Sequence, residues 1–108
     1  MALKRGRKQS DQPTSRQITV LVCYDIGDDH RRRRVSELLE GLGPRVQQSV
    51  FECRVRGNSG VEELRRSLGR LIHPREDQVR VYNLGARMAA AVIVGNRELE
   101  EWRDFQIL

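Results

Sequence analysis

A chain of 108 residues with 38% hydrophobic and 32% charged side chains has the mass for one domain with a modest core. No apolar stretch is long enough to span a membrane and no signal-peptide core is present, which makes the cytoplasm the expected compartment. Cys23 and Cys53 are far apart and sit in apolar runs, a placement that fits buried thiols and offers no zinc-type pairing.

The net charge of +5 is unevenly distributed: Met1 to Gln17 holds five basic residues and one acid, +4 of the total. That segment has no apolar period, and Gly6, Ser10, Pro13 and Ser15 break regular structure, so it reads as a disordered basic arm. Two roles fit it equally: holding phosphates, or serving only as a solubilising leader.

The body starts with Ile18-Thr19-Val20-Leu21-Val22-Cys23-Tyr24-Asp25-Ile26, a β-branched run that predicts a strand covered on both faces. Alternation puts Ile18, Val20, Val22 and Tyr24 on one face and Thr19, Leu21, Cys23 and Asp25 on the other. Asp25 therefore stands at the mouth of a strand. It is a candidate for chemistry there, or it caps the next helix or pairs with a neighbouring arginine.

Asp28 or Asp29 is placed to cap a helix whose stripe is Val35, Leu38, Leu39 and Leu42, stopped by Gly41, Gly43 and Pro44. Arg31, Arg32, Arg33 and Arg34 crowd the first turns, the end where the helix dipole favours anions. Neighbouring acids or an external polyanion must relieve that mismatch.

Arg45 to Val55 is strand-like but long, and predicts two short antiparallel strands or one strand broken near Gln48-Ser49. Ser59 and Glu62 have capping-box spacing ahead of the stripe Val61, Leu64, Leu68 and Leu71, and His73-Pro74 ends that helix. Asp77 to Leu84 predicts another strand. Ala89 to Gly95 fits a strand or a short helix, with Val92, Ile93 and Val94 favouring the strand, and Phe105 to Leu108 is an apolar ending that needs a docking place.

The order β-α-β(β)-α-β predicts an α+β sandwich of the ferredoxin-like type, β-α-β-β-α-β with a further C-terminal strand. Two helices then cover the Ile18/Val20/Val22/Tyr24 face, and the Leu21/Cys23/Asp25 face is left open as a candidate dimer surface. A two-fold axis there brings two Asp25 carboxylates together, and a divalent metal relieves their repulsion.

Tyr24-Asp25-Ile26 with Asp28-Asp29 and the arginine run, followed by Arg45-Val46-Gln47-Gln48-Ser49-Val50-Phe51-Glu52, resembles the small CRISPR-associated protein two family. Asp77-Gln78-Val79-Arg80-Val81-Tyr82 and Phe105-Gln106-Ile107 are similar to it as well, so the resemblance spans Ile18 to Leu108. It implies a ferredoxin-like homodimer whose C-terminal segment, 89–108, docks on the partner protomer. It also implies a role bridging dimers of the CRISPR integrase, CRISPR-associated protein one, and holding the duplex DNA of a new spacer during integration.

Members have been described as magnesium-dependent nucleases on RNA or DNA. Carried over on these terms, Asp25 is the metal-binding acid, with one Mg²⁺ or Mn²⁺ shared by the two copies in a dimer. Tyr24, Ser49 and Phe51 join it as candidate catalytic positions, and Arg31, Arg32, Arg33 and Arg45 are the candidate nucleic-acid contacts. The arm and the density of the arginine run depart from the family pattern.

Two function classes follow. One is a metal-dependent phosphodiesterase; the other is a non-catalytic scaffold that grips phosphates without reading sequence. A single-stranded RNA-binding sheet is a third reading, disfavoured because the five aromatic residues are not grouped as a stacking platform.

Overall fold

The computed structural model describes residues 16–86, 92–95 and 106–108. The basic arm up to residue 15, and residues 87–91 and 96–105 towards the C-terminus, lie outside the described residues. The elements are β1 (Gln17–Asp25), α1 (Asp29–Glu40), β2 (Arg45–Gln47), β3 (Val50–Arg56), α2 (Gly57–Gly69) and β4 (Gln78–Gly85). They form one four-stranded antiparallel sheet in the order β2-β3-β1-β4, the ferredoxin-like arrangement.

β1 is central, paired with β3 from Gln17↔Arg56 to Cys23↔Val50 and with β4 from Thr19↔Gly85 to Asp25↔Gln78. Its alternation sorts the faces as expected. Val20, Val22 and Tyr24 are buried under the helices with Val35, Leu39, Phe51, Val55 and Leu64. Full burial of each such aliphatic or aromatic side chain contributes about 1.5–3 kcal/mol. Leu21 and Cys23, on the other face, are half-buried and Asp25 is exposed. Cys53 is buried, and burial pushes its thiol up to about 12. Cys23 is only half-buried, which corrects the expectation of two buried thiols.

The long segment 45–55 divides into β2 and β3 at Gln48-Ser49, where the break was expected. The start of α2 differs from the expectation. Gly57 takes a left-handed φ of 58°, so β3 turns into the helix without a loop. Ser59 is thus already inside the first turn, and its hydroxyl donates to the Arg56 carbonyl. Glu62 pairs with Arg65, so no capping box forms.

Val92, Ile93 and Val94, which favoured a strand, lie outside any helix or strand and are exposed. The apolar end does have a docking place, along β3 of its own chain. Arg56 N–H donates to the Leu108 carbonyl at 2.6 Å and Leu108 N–H to the Arg54 carbonyl at 3.3 Å. This approach requires Gly60 on α2, because a Cβ there would lie 2.8 Å from the Leu108 oxygen.

Candidate nucleic-acid interface

Helix α1 is capped by Asp28, whose carboxylate accepts from Arg31 N–H at 2.9 Å. That hydrogen bond holds the Asp28 carboxyl below its ordinary value. Asp25 is therefore not the cap, and it is not the partner of any arginine among the described residues. It is exposed at the end of β1, on the open sheet face, opposite Gln78.

The arginine run divides by partner. Arg31 reaches from α1 to the turn before β4. Its Nε donates to Asp77 Oδ2 at 2.7 Å, and Nη2 to Asp77 Oδ1 at 3.2 Å and Glu76 at 3.1 Å. The Asp77 side chain is 0% exposed and also accepts from His73 N–H at 2.8 Å. This is a bidentate, charge-assisted tie between two elements. Arg31 thereby enters the site as a brace, its charge answered within the fold. Arg32 turns back on the loop before α1, donating to the Ile26 carbonyl at 2.9 Å, the Gly27 carbonyl at 3.3 Å and the Asp29 carboxylate. The Arg33 carbonyl accepts from the Ser36 hydroxyl at 3.2 Å, but its exposed guanidinium has no hydrogen bond or ion pair among the described residues.

The tie has a pH consequence. The Arg31 guanidinium, and then His73 N–H, hold the Asp77 carboxyl below its ordinary 3.8, while Arg31 is raised and stays charged. A carboxylate depressed in the folded state contributes its stability in full above the unfolded value, and loses it as pH falls through the folded one. Asp77→Asn is expected to lower Tm at pH 7, with the gap to the unaltered protein closing below about pH 3.8. Melting curves from pH 7 to 3 check this; a gap that persists in acid would assign the loss to something other than the ion pair.

Between α1 and the β2–β3 turn lies a cleft of about 350 Å³ lined by Tyr24, Asp29, Arg32, Arg33, Ser36, Arg45, Gln48 and Ser49. Its walls are set by backbone pairing: Tyr24 N–H donates to the Ser49 carbonyl at 3.1 Å, which pins the turn to the end of β1. Phe51 is fully buried beneath, stacked on Tyr24 with ring centroids 6.4 Å apart. The Arg45 guanidinium lies 4.7 Å above the Phe51 ring, and it also donates to the Gln48 carbonyl and Glu40. Phe51 thus supports the cleft from below, with no surface for a ligand.

Of the residues expected to form a site, the cleft gathers Tyr24, Ser49, Arg32, Arg33 and Arg45. Arg31 and Phe51 brace it, and Asp25 stands on the other side of the sheet. Asp29, Ser36 and Gln48 were missed as lining residues. Ser36 had a signal: it follows Arg32 and Arg33 by four and three positions, on the same helix face. Among the described residues no group of three or more His, Cys, Asp or Glu side chains is placed to hold a metal. Nor is any helix among them long and apolar enough to cross a membrane.

Fold and cleft together define a small ferredoxin-like α+β protein with an arginine-lined recess at the carboxyl end of its first strand. The family model described as CRISPR associated protein Cas2 matches residues 18–92, and the chain belongs to that family. A relative from Synechocystis sp. named CRISPR-associated endoribonuclease Cas2 2 is 42% identical over 89 residues, 82% of this chain and 96% of its own length. The crystal structure of Streptococcus pyogenes Cas2 matches with a TM-score of 0.61 at 32% identity, covering 72% of this chain and 100% of that one. A chain of a partial Cas6-RT-Cas1–Cas2 complex matches with a TM-score of 0.60 at 31% identity, covering 71% and 90%.

Proposed function

We propose that the protein works in CRISPR adaptation as a homodimer that bridges integrase dimers and holds the duplex DNA of a new spacer by its phosphates. The observation that carries this reading is the arginine-lined cleft with Arg33 uncommitted on its rim. Phosphate contacts of this kind fix a duplex in place and carry no sequence information. The match to a chain of a complex named for Cas1 and Cas2 supports an integrase partner. The half-buried Leu21 and Cys23 give the dimer its surface, and in the dimer the C-terminal segment takes on the partner's β3 the edge position that Leu108 takes here on β3 of its own chain. The setting is the cytoplasm.

The test is salt dependence. Each neutralised phosphate releases condensed counterions, so log affinity for duplex DNA falls with log salt. Deleting Met1 to Arg16, which leaves β1 whole, is expected to make that slope shallower by about 3–4, in proportion to the net +4 removed. An unchanged slope would make the arm a leader only, and no measurable duplex binding by the full chain would sink the holding role.

A second reading, metal-dependent cleavage of RNA or DNA, is favoured by the word endoribonuclease in the relative's name. One hard oxygen ligand per chain suits Mg²⁺ or Mn²⁺ only when two chains contribute, so Asp25 of both protomers would hold the ion. When bound, it would polarise a phosphate and acidify a water. This chain's own contribution is an exposed carboxylate on the open face, free of any partner among the described residues.

A further inference from the structure

The open face of the sheet carries its charges in rows. Residues paired across antiparallel strands share a face, so Leu21 stands in one row with Glu52 of β3 and Tyr82 of β4. The next row is Val50, Cys23 and Arg80, and the last is Asp25 with Gln78. We propose that Glu52 of one protomer pairs with Arg80 of the other across a two-fold axis, and that this contact decides which second copy the face accepts. The proposal rests on the homodimer of the reading above.

Both side chains lack a counter-charge among the described residues. Glu52 is half-buried, and its carboxylate has no hydrogen bond or ion pair there. Covering that carboxylate in an interface is costly unless the second copy brings a cation. Arg80 is exposed and held only by neutral groups: Nε donates to the Gln78 amide oxygen at 3.1 Å and Nη1 to the Tyr82 hydroxyl at 3.2 Å. These two bonds lay the guanidinium along β4 and leave Nη2 without a partner among the described residues. Within one chain Glu52 and Arg80 stand on either side of β1, one row apart, and make no ion pair.

The rest of the face points to a second copy as the occupant. Asp25, Glu52, Arg54 and Arg80 are two acids and two bases, a net charge of zero, so the face does not attract a polyanion. Arg54 is already engaged. The middle is apolar, with Leu21 and Cys23 half-buried and Tyr82 41% exposed. An apolar middle with an acid on one flank and a base on the other is complementary to itself.

A two-fold axis running along β1 lays β3 over the partner's β4, with the two Asp25 carboxylates facing one another. The same axis leaves Glu52 and the partner's Arg80 one row apart, about 7 Å along the strand, an offset that two long side chains span. By symmetry the contact is made twice. Asp25 is also one row from Arg80, but it is exposed and keeps its water, so it gains less from the guanidinium than the half-buried Glu52.

The experiment is sedimentation of the full-length protein, alone and as mixed variants. The unaltered chain is expected to be a dimer. Glu52→Arg alone, and Arg80→Glu alone, each put two like-charged contacts into their own dimer and are expected to weaken it by about 100-fold or more. Mixed one to one, the two variants regain both opposite-charge contacts. A heterodimer within about tenfold of the unaltered affinity is expected, identified by its mass in native mass spectrometry. Glu52→Gln and Arg80→Gln, milder changes at the same positions, are expected to weaken the dimer about tenfold each, and the double variant no more than either. A monomeric unaltered chain would overturn the homodimer and the pairing together. A dimer that the single reversals leave intact, or a mixture that stays monomeric while the unaltered chain dimerises, would overturn the pairing and spare the homodimer. Equal weakening by Asp25→Asn and Glu52→Gln would also overturn it, by giving Arg80 to Asp25.

Discussion

Replacing Phe51 with alanine is expected to cost about 3–5 kcal/mol and to lower Tm by roughly 15–30 °C. The ring is fully buried between the helices and the sheet, stacks on Tyr24, and carries the Arg45 guanidinium on its face. Removing it leaves a cavity in the core and takes away the floor of the cleft in one step. Since a domain of this size has about 5–15 kcal/mol in all, the variant should sit near the edge of folding. Phe51→Leu restores most of the volume and should recover most of the Tm while still losing the ring contacts. Thermal melts followed by circular dichroism check both. A near-normal Tm for Phe51→Ala would contradict the packing described above.

That dual position explains why Phe51 was hard to assign from sequence. A strand residue next to candidate site residues reads as part of a site, and only the register of β3 against β1, Val22↔Phe51, shows that it points into the core. Other parts were plainly legible. The alternation of β1 fixed which face the helices cover, and the Val35/Leu39/Leu42 and Leu64/Leu68 spacings fixed which sides of the helices meet it. Those signals are local: they depend on periods of two and of three to four residues.

The arginine run was not legible in the same way. Four consecutive identical side chains carry no clue to their partners. Arg31 finds Asp77, 46 positions away, through the return of β4 beside β1. Arg32 finds carbonyls in a loop whose shape the cap at Asp28 determines. Only after those two are accounted for do Arg33 and Arg34 emerge as the side chains of the run with no partner among the described residues, and of the two only Arg33 lines the cleft. The start of α2 was misplaced for a related reason. Ser59 and Glu62 have capping-box spacing, but a left-handed Gly57 lets the helix begin earlier, and backbone freedom of that kind leaves no periodic trace.

The same division of labour alters how a loss-of-function variant should be chosen. Arg31→Ala removes a brace between α1 and the turn before β4, so its effects mix stability with binding. Arg33→Ala removes an exposed side chain with no partner among the described residues, and reads on ligand contact alone. The two are expected to differ in a simple way: Arg31→Ala lowers Tm, whereas Arg33→Ala leaves it within the usual narrow range of surface substitutions.

The central claim is that this protein serves adaptation by holding phosphates rather than by cutting them. Spacer acquisition in cells carrying the integrase tests it most directly, with each variant first checked for expression and dimer formation. Arg33→Ala is expected to reduce acquisition by about tenfold or more, in line with a lost charge-assisted phosphate contact. Asp25→Asn, which removes the carboxylate while keeping its shape, is expected to leave acquisition intact. Acquisition abolished by Asp25→Asn in a folded dimer, with Arg33→Ala unaffected, would contradict the holding role and place the metal acid at the centre of the mechanism.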